Sequence, residues 1–303
     1  MTRALVLSGG GPVGIAWEAG LLAGLEEEGV ELGAADYILG TSAGSFVGSQ
    51  LAMGRKARDL AASILAEADR VSPAAAPSGQ PGGQPSGGAR PSAMGVLVQL
   101  MQAARSGERD PQEARRAIGK FALDAETMEE DAFIRSFGRQ LSEGQADAWP
   151  QRNFACTAVD AESGEFVVWS ADSKIGLARA VASSCSVPGV YPPITINGRR
   201  YIDGGMRSGS NADLAAGHDL VVVVGLRAAA ADPEMAARMR APLEKELQVL
   251  RDGGARAELI LPDDASVAAF GLNLMDGRAR PAAAKAGMAQ GRALAAELKR
   301  VWG

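Results

Sequence analysis

Ser42 stands inside Gly40-Thr41-Ser42-Ala43-Gly44, a Gly-x-Ser-x-Gly pentad preceded by the short apolar run Tyr37-Ile38-Leu39. A serine becomes a nucleophile when a sharp strand-to-helix turn pushes its hydroxyl outward, and such a turn needs small neighbours on both sides. Gly40, Ala43 and Gly44 meet that need. A serine so placed also serves as an ordinary helix N-cap, so the pentad by itself leaves both roles open. Upstream, Gly9-Gly10-Gly11-Pro12-Val13-Gly14 follows the run RALVLS at residues 3 to 8. After a strand this spacing suggests a phosphate cradle for a dinucleotide, but that use needs an acidic residue at the end of the second strand. Here the second strand ends in the serine turn instead. The same glycines suit an oxyanion hole, because backbone N–H groups without side chains in the way can point at the charge developing on an ester carbonyl. The third feature is Asp203-Gly204-Gly205, which closes the run Arg199-Arg200-Tyr201-Ile202. Alone it is a common Asp-Gly turn; with the other two it adds a carboxylate to a hydroxyl and a set of backbone donors.

GGGPVG, GTSAG and DGG, in this order and spacing, resemble the patatin-like phospholipases, serine acyl hydrolases of bacteria and plants, and ASSCSVPGVYPP at 182 to 193 resembles the segment that leads into that family's aspartate strand. The likeness covers about residues 3 to 54 and 153 to 226. It implies a three-layer α/β/α fold, Ser42 as nucleophile, Asp203 as its base, and Gly10 and Gly11 as oxyanion donors. It also implies a lipid ester as substrate, transient contact with a membrane surface, and no metal or organic cofactor. Val13 departs from the family pattern, standing where many members carry Arg or Lys. The same dyad would serve an acyltransferase, and a lipid-binding regulatory protein without activity is the alternative outside enzymes.

His218 is the one histidine of the chain. Ser42, Asp203 and His218 follow the chain order of the α/β-hydrolase triad. Position argues against a triad: AAGHDLVVVV puts His218 at the amino end of a strand, whereas Ser42 and Asp203 follow carboxyl ends. A five-residue strand separates its two ends by roughly 17 Å. Asp203 must then act on Ser42 directly, which a carboxylate does best when burial raises its pKa.

The elements that position these groups follow from periodicity. Strand, glycine turn and helix occur twice in the first 70 residues, an alternation typical of α/β folds with ligands at the carboxyl ends of a mostly parallel sheet. On such a sheet the three glycine turns converge at one edge. SFVGSQLAMGRKARDLAASILAEA reads as one helical stretch, and 94 to 105, 111 to 122 and 128 to 142 as further helices, so about 55 to 150 is expected to be a helical insertion on one side of the sheet. Within it, residues 72 to 92 hold five prolines and five glycines and nothing aliphatic larger than alanine, a composition expected to stay disordered. Val96, Leu97, Leu100 and Met101 form an apolar stripe that reads first as a core face, with a mobile lid as the alternative. Strands are expected at RNFACTAV, EFVVWS, ITI, RRYI, DLVVVVGL and RAELILP, and long helices from Pro233 and Pro281.

The 303 residues are 47% hydrophobic and 22% charged, which suits a globular chain with a sizeable core, read as one acyl hydrolase domain over 1–303. A formal net charge of -5 argues against a generic nucleic-acid binder. The apolar run at the start is too short for a signal-peptide core or a membrane span, so cytoplasmic residence is the expectation. Cys156 and Cys185 lie in apolar surroundings and read as buried free thiols.

Overall fold

The computed structural model describes residues 1–70, 93–105, 110–141, 147–226 and 233–303. The Pro/Gly-rich stretch at 72–92 lies outside the described residues. In chain order the elements are β1 (Arg3–Leu7), α1 (Gly11–Glu27), β2 (Tyr37–Gly40), α2 (Ala43–Ala52), α3 (Ala57–Leu65), α4 (Glu67–Arg70), α5 (Ala93–Arg105), α6 (Pro111–Asp124), α7 (Glu130–Leu141), β3 (Asn153–Asp160), β4 (Phe166–Trp169), α8 (Leu177–Ser184), β5 (Ile194–Ile196), β6 (Arg199–Asp203), β7 (Leu220–Val224), α9 (Pro233–Asp252), β8 (Arg256–Ile260), α10 (Asp264–Phe270) and α11 (Arg280–Trp302). No helix among the described residues is long and apolar enough to cross a membrane.

One sheet runs β5-β6-β3-β2-β1-β7-β8, with β4 on the other edge of β3. The pairs of β1 with β2 and β7, of β2 with β3, and of β7 with β8 are parallel. β1 and β7 are covered on both faces, which is why they read as continuous apolar runs rather than as alternating ones. Leu5, Leu7, Ile38, Phe154, Val222 and Val224 face a core built with α1, α2, α3, α7, α8 and α11. The opposite face, with Ala4, Val6, Leu39, Ala155, Val221 and Val223, packs on Leu247 and Leu250 of α9. Helix, sheet and helix make the expected three layers.

Two expectations are corrected. The insertion does not keep to one side: Leu60, Ile64, Phe133 and Phe137 of α3 and α7 join the first core. Leu97, Ile118 and Ala122 of α5 and α6 pack with Val159 and Ile202 instead. Val159 shares the parity of Ala155 along β3, so α5 and α6 sit on the α9 face. The stretch from Ser45 to Ala68 is not one helix either. α2 ends at Gly54, whose φ of +89° only glycine adopts easily. There Gly54 N–H donates to the Leu51 carbonyl at 2.9 Å and Arg55 N–H to the Gln50 carbonyl at 3.0 Å. That bond pair is a Schellman ending, and it turns the chain back as α3.

α1 is buried along most of its length because α11 crosses it closely. A Cβ on Gly20 or Gly24 would run into the backbone at Ala284 or Met288, and one on Gly287 or Gly291 would meet the backbone at Trp17 or Leu21. These small faces hold the helix that carries the glycine turn at its N-terminus.

Candidate active site

Ser42 links β2 to α2 with φ 53° and ψ -118°, a conformation that costs a non-glycine residue roughly 1–3 kcal/mol and persists only where neighbours hold it. They do so at both ends of the residue. The Ser42 N–H donates to Ser184 Oγ at 3.0 Å. Its carbonyl accepts from Ser45 Oγ at 2.6 Å and from Cys185 Sγ at 3.1 Å. Gly44 N–H donates to the Ser8 carbonyl at 3.0 Å, and a Cβ on Gly44 would strike Leu7, which is why the pentad needs glycine there.

The glycine-rich turn lies against this elbow. A Cβ on Gly9 would stand 3.3 Å from the Cβ of Ser42, and one on Gly14 would stand 3.2 Å from that of Ala43. Gly9 N–H donates to the Gly209 carbonyl at 2.8 Å, Val13 N–H to Leu274 at 3.2 Å and Gly14 N–H to Gly10 at 2.8 Å. Gly11, at φ +58°, opens α1. Gly10 and Gly11 thus sit where a helix leaves its first N–H groups without intrahelical acceptors.

Asp203 arrives by a route that a parallel sheet does not provide. β6 pairs with β3 antiparallel. Cys156 of β3 pairs with both Gly40 and Trp169, and Val159 pairs with both Phe166 and Ile202. β2 and β6 therefore lie on the same edge of β3, opposite β4, and run at each other. Gly40 stands level with Cys156 and Asp203 with Ala158, so the two carboxyl ends meet head-on about 7 Å apart along β3. Asp203 is 2% exposed and Ser42 6%. Gly205 N–H donates to Asp203 Oδ1 at 2.7 Å, and Asp203 N–H donates to the Ser186 carbonyl at 3.0 Å. Ser184, Cys185 and Ser186 at the end of α8 thus touch both the serine and the aspartate turns.

A second bridge lies beneath them. Thr41 Oγ1 and Thr157 Oγ1 are 2.9 Å apart. Asn211, fully buried at φ 52°, donates from Nδ2 to Thr41 Oγ1 at 3.0 Å, to Thr157 Oγ1 at 3.4 Å and to the Gly204 carbonyl at 3.4 Å. Arg207 Nη1 holds Asn211 Oδ1 at 2.8 Å and pairs with Asp213. Sequence reasoning missed Thr41, Thr157, Ser184, Cys185 and Asn211 as positioning groups. Only the serine-rich segment at 182–186 carried any signal, through the family likeness.

His218 is at the other end of the sheet. It precedes β7, its Nδ1 lies 2.9 Å from the Ala215 carbonyl, and its ring stacks on Tyr37 with centroids 5.2 Å apart. Tyr37 opens the strand that Gly40 closes. Cys156 and Cys185 are free and buried, and burial, with the Asp203 charge next, pushes the Cys185 thiol far up, so it remains a protonated donor to the Ser42 carbonyl.

VipD from Legionella pneumophila is 16% identical with a TM-score of 0.47, over 98% of this chain and 67% of that one. The type III effector ExoU is 17% identical with a TM-score of 0.39, over 98% of this chain and 53% of that one. ExoU in complex with SpcU, from the type III secretion system of Pseudomonas aeruginosa, is 18% identical with a TM-score of 0.40, over 99% of this chain and 51% of that one. The chain thus spans about half the length of ExoU. No curated protein matches it. The family model described as patatin-like phospholipase matches residues 5–216, from β1 past the Asp203 turn and so well over half of the chain. By that match the chain belongs to the patatin-like phospholipases.

Proposed function

We propose that this protein hydrolyses carboxylic esters of lipids through an acyl-enzyme on Ser42, with Asp203 as the base. Ser42 Oγ attacks the ester carbonyl while its proton passes to Asp203, and the Gly10 and Gly11 N–H groups hold the oxyanion. Asp203 returns the proton to the leaving alcohol. Water, deprotonated by the same carboxylate, then attacks the acyl carbonyl and releases the fatty acid and Ser42.

The observation that carries this reading is the head-on approach of β2 and β6 on one edge of β3, which brings a strained serine turn and a buried aspartate together. His218, stacked at the opposite end, offers no competing base.

Labelling with a fluorophosphonate probe and mapping the modified peptide tests the nucleophile without knowledge of the substrate. The adduct is expected on Ser42 and absent from Ser42→Ala; an adduct on another serine overturns the reading. Release of free fatty acid from phospholipid, measured with and without an added alcohol, separates hydrolysis from acyl transfer. An acyl product that appears only with the alcohol would assign a transferase.

A further inference from the structure

The connection from α10 into α11 lies along the glycine-rich turn, although it falls outside the residues 5–216 that the family model matches. Its grip centres on one peptide unit. The Val13 N–H donates to the Leu274 carbonyl at 3.2 Å, and the Pro12 carbonyl accepts from Arg280 Nη1 at 3.3 Å. Both polar atoms of the peptide joining Pro12 to Val13 are thus held by the same stretch of chain. Arg280 is itself anchored: its Nε and Nη2 donate to the two carboxylate oxygens of Glu67 at 2.9 Å each, and its side chain is only 20% exposed. Met275 completes the grip. A Cβ on Gly11 would stand 2.7 Å from Met275 Sδ and 2.8 Å from the Leu274 oxygen, so Gly11 is wedged as well.

These contacts decide which donors are left over. Pro12 has no N–H, the Gly9 and Gly14 N–H groups go to the Gly209 and Gly10 carbonyls, and Val13 N–H goes to Leu274. The Gly10 and Gly11 N–H groups remain without an acceptor among the described residues. We propose that Arg280 is a positioning residue of the oxyanion turn: anchored by Glu67, it fixes the peptide after Pro12 and through it the direction in which the Gly10 and Gly11 N–H groups point. The proline ring locks φ of Pro12, so holding the peptide on its carboxyl side leaves little freedom to the one on its amino side. The inference rests on the hydrolase reading for what these donors stabilise, and on the hydrogen bonds alone for the grip.

Deleting an oxyanion donor outright costs on the order of 10²–10³ in kcat, and loosening one without removing it costs less. Arg280→Gln is therefore expected to lower kcat on p-nitrophenyl butyrate, and the rate of phosphonylation by a fluorophosphonate, about tenfold while KM stays within about twofold. Arg280→Lys keeps a charged donor for the Pro12 carbonyl and should recover to within about threefold of the parent. Arg292 pairs with Glu27 farther along α11, so Arg292→Gln controls for the loss of any ion pair from that helix and should leave both rates unchanged. A readout independent of turnover is amide hydrogen exchange over residues 9–16, expected to be several-fold faster in Arg280→Gln than in the parent. Unchanged rates, a loss carried by KM, an equal loss in Arg292→Gln, or unchanged exchange overturns the assignment. Faster exchange in Arg280→Gln, when the parent neither turns over esters nor takes the phosphonate, supports the grip and overturns the hydrolase reading alone.

Discussion

A base that acts without histidine makes a sharp demand on single residues. Under the Ser-Asp reading, Asp203→Asn lowers kcat by on the order of 10³ or more, because an amide cannot accept the serine proton. His218→Ala changes turnover by no more than about threefold, since the ring lies against the Ala215 carbonyl and stacks on Tyr37 at the far end of the sheet. Steady-state kinetics on the two variants with unchanged far-ultraviolet circular dichroism checks the pair, and a severe loss in the histidine variant would restore a triad. Ser184 should matter without touching substrate. Removing its acceptor from the strained Ser42 N–H costs about 1 kcal/mol. Ser184→Ala is therefore expected to slow kcat and the phosphonylation rate some three- to tenfold at unchanged KM, with Ser184→Thr restoring most of both. A uniform rise in KM would instead place Ser184 in substrate binding.

At the scale of elements, α5 decides between two readings of one apolar stripe. Leu97 is 3% exposed, and Leu100 and Met101 pack beside it on Ile118, Val159 and Ile202, together with Val187 and Met206 next to the aspartate turn. This is the environment of a core face and not of a free lid. A charge at Leu97 is buried without a partner, so Leu97→Asp is expected to lower the melting temperature by ten degrees or so and to reduce activity on short esters and on lipid aggregates together. Loss on aggregates alone, at an unchanged melting temperature, would show a lid. The contrast with α1 and α11 is instructive, because there the contact is made by glycines and alanines and the backbones themselves close the gap. Small residues carry little apolar signal, so that crossing was invisible to hydrophobic periodicity.

For the molecule as a whole, the clearest pH dependence comes from a group outside the proposed chemistry. Glu18 of α1 is fully buried, and burial pushes its carboxyl well above the ordinary 4.5, against a smaller pull from the Ser8 backbone. The folded protein therefore keeps this proton where the unfolded chain has lost it. The stabilisation is whole below about 4.5, the unfolded value, and falls as pH rises toward the folded one. Glu18→Gln removes the titration, so its stability relative to the parent is expected to rise between acid and mildly alkaline pH. Urea unfolding of both proteins at pH 5 and pH 8 measures this; parallel curves for the two proteins would mean that Glu18 is ionised in the fold.

Local signals sufficed wherever the physics was local. Apolar runs marked β1 as a buried strand and β3 and β7 as strands, and the glycines at 9–11, 40, 44, 204 and 205 marked the places where the backbone must turn sharply or pass close to another segment. From these the α/β class, the family likeness and the candidate residues Ser42, Asp203, Gly10 and Gly11 were all legible, as was the remoteness of His218 from the serine. What could not be read was how β6 is paired. Strand direction depends on which edge a strand finds and from which end it enters, and an isolated five-residue run carries no mark of either. The convergence expected from a parallel sheet is achieved instead by an antiparallel strand that ends against β2. For the same reason Thr157 and Asn211, 116 and 170 residues from Thr41, gained their place in the site only when three strands and a buried left-handed turn were packed together.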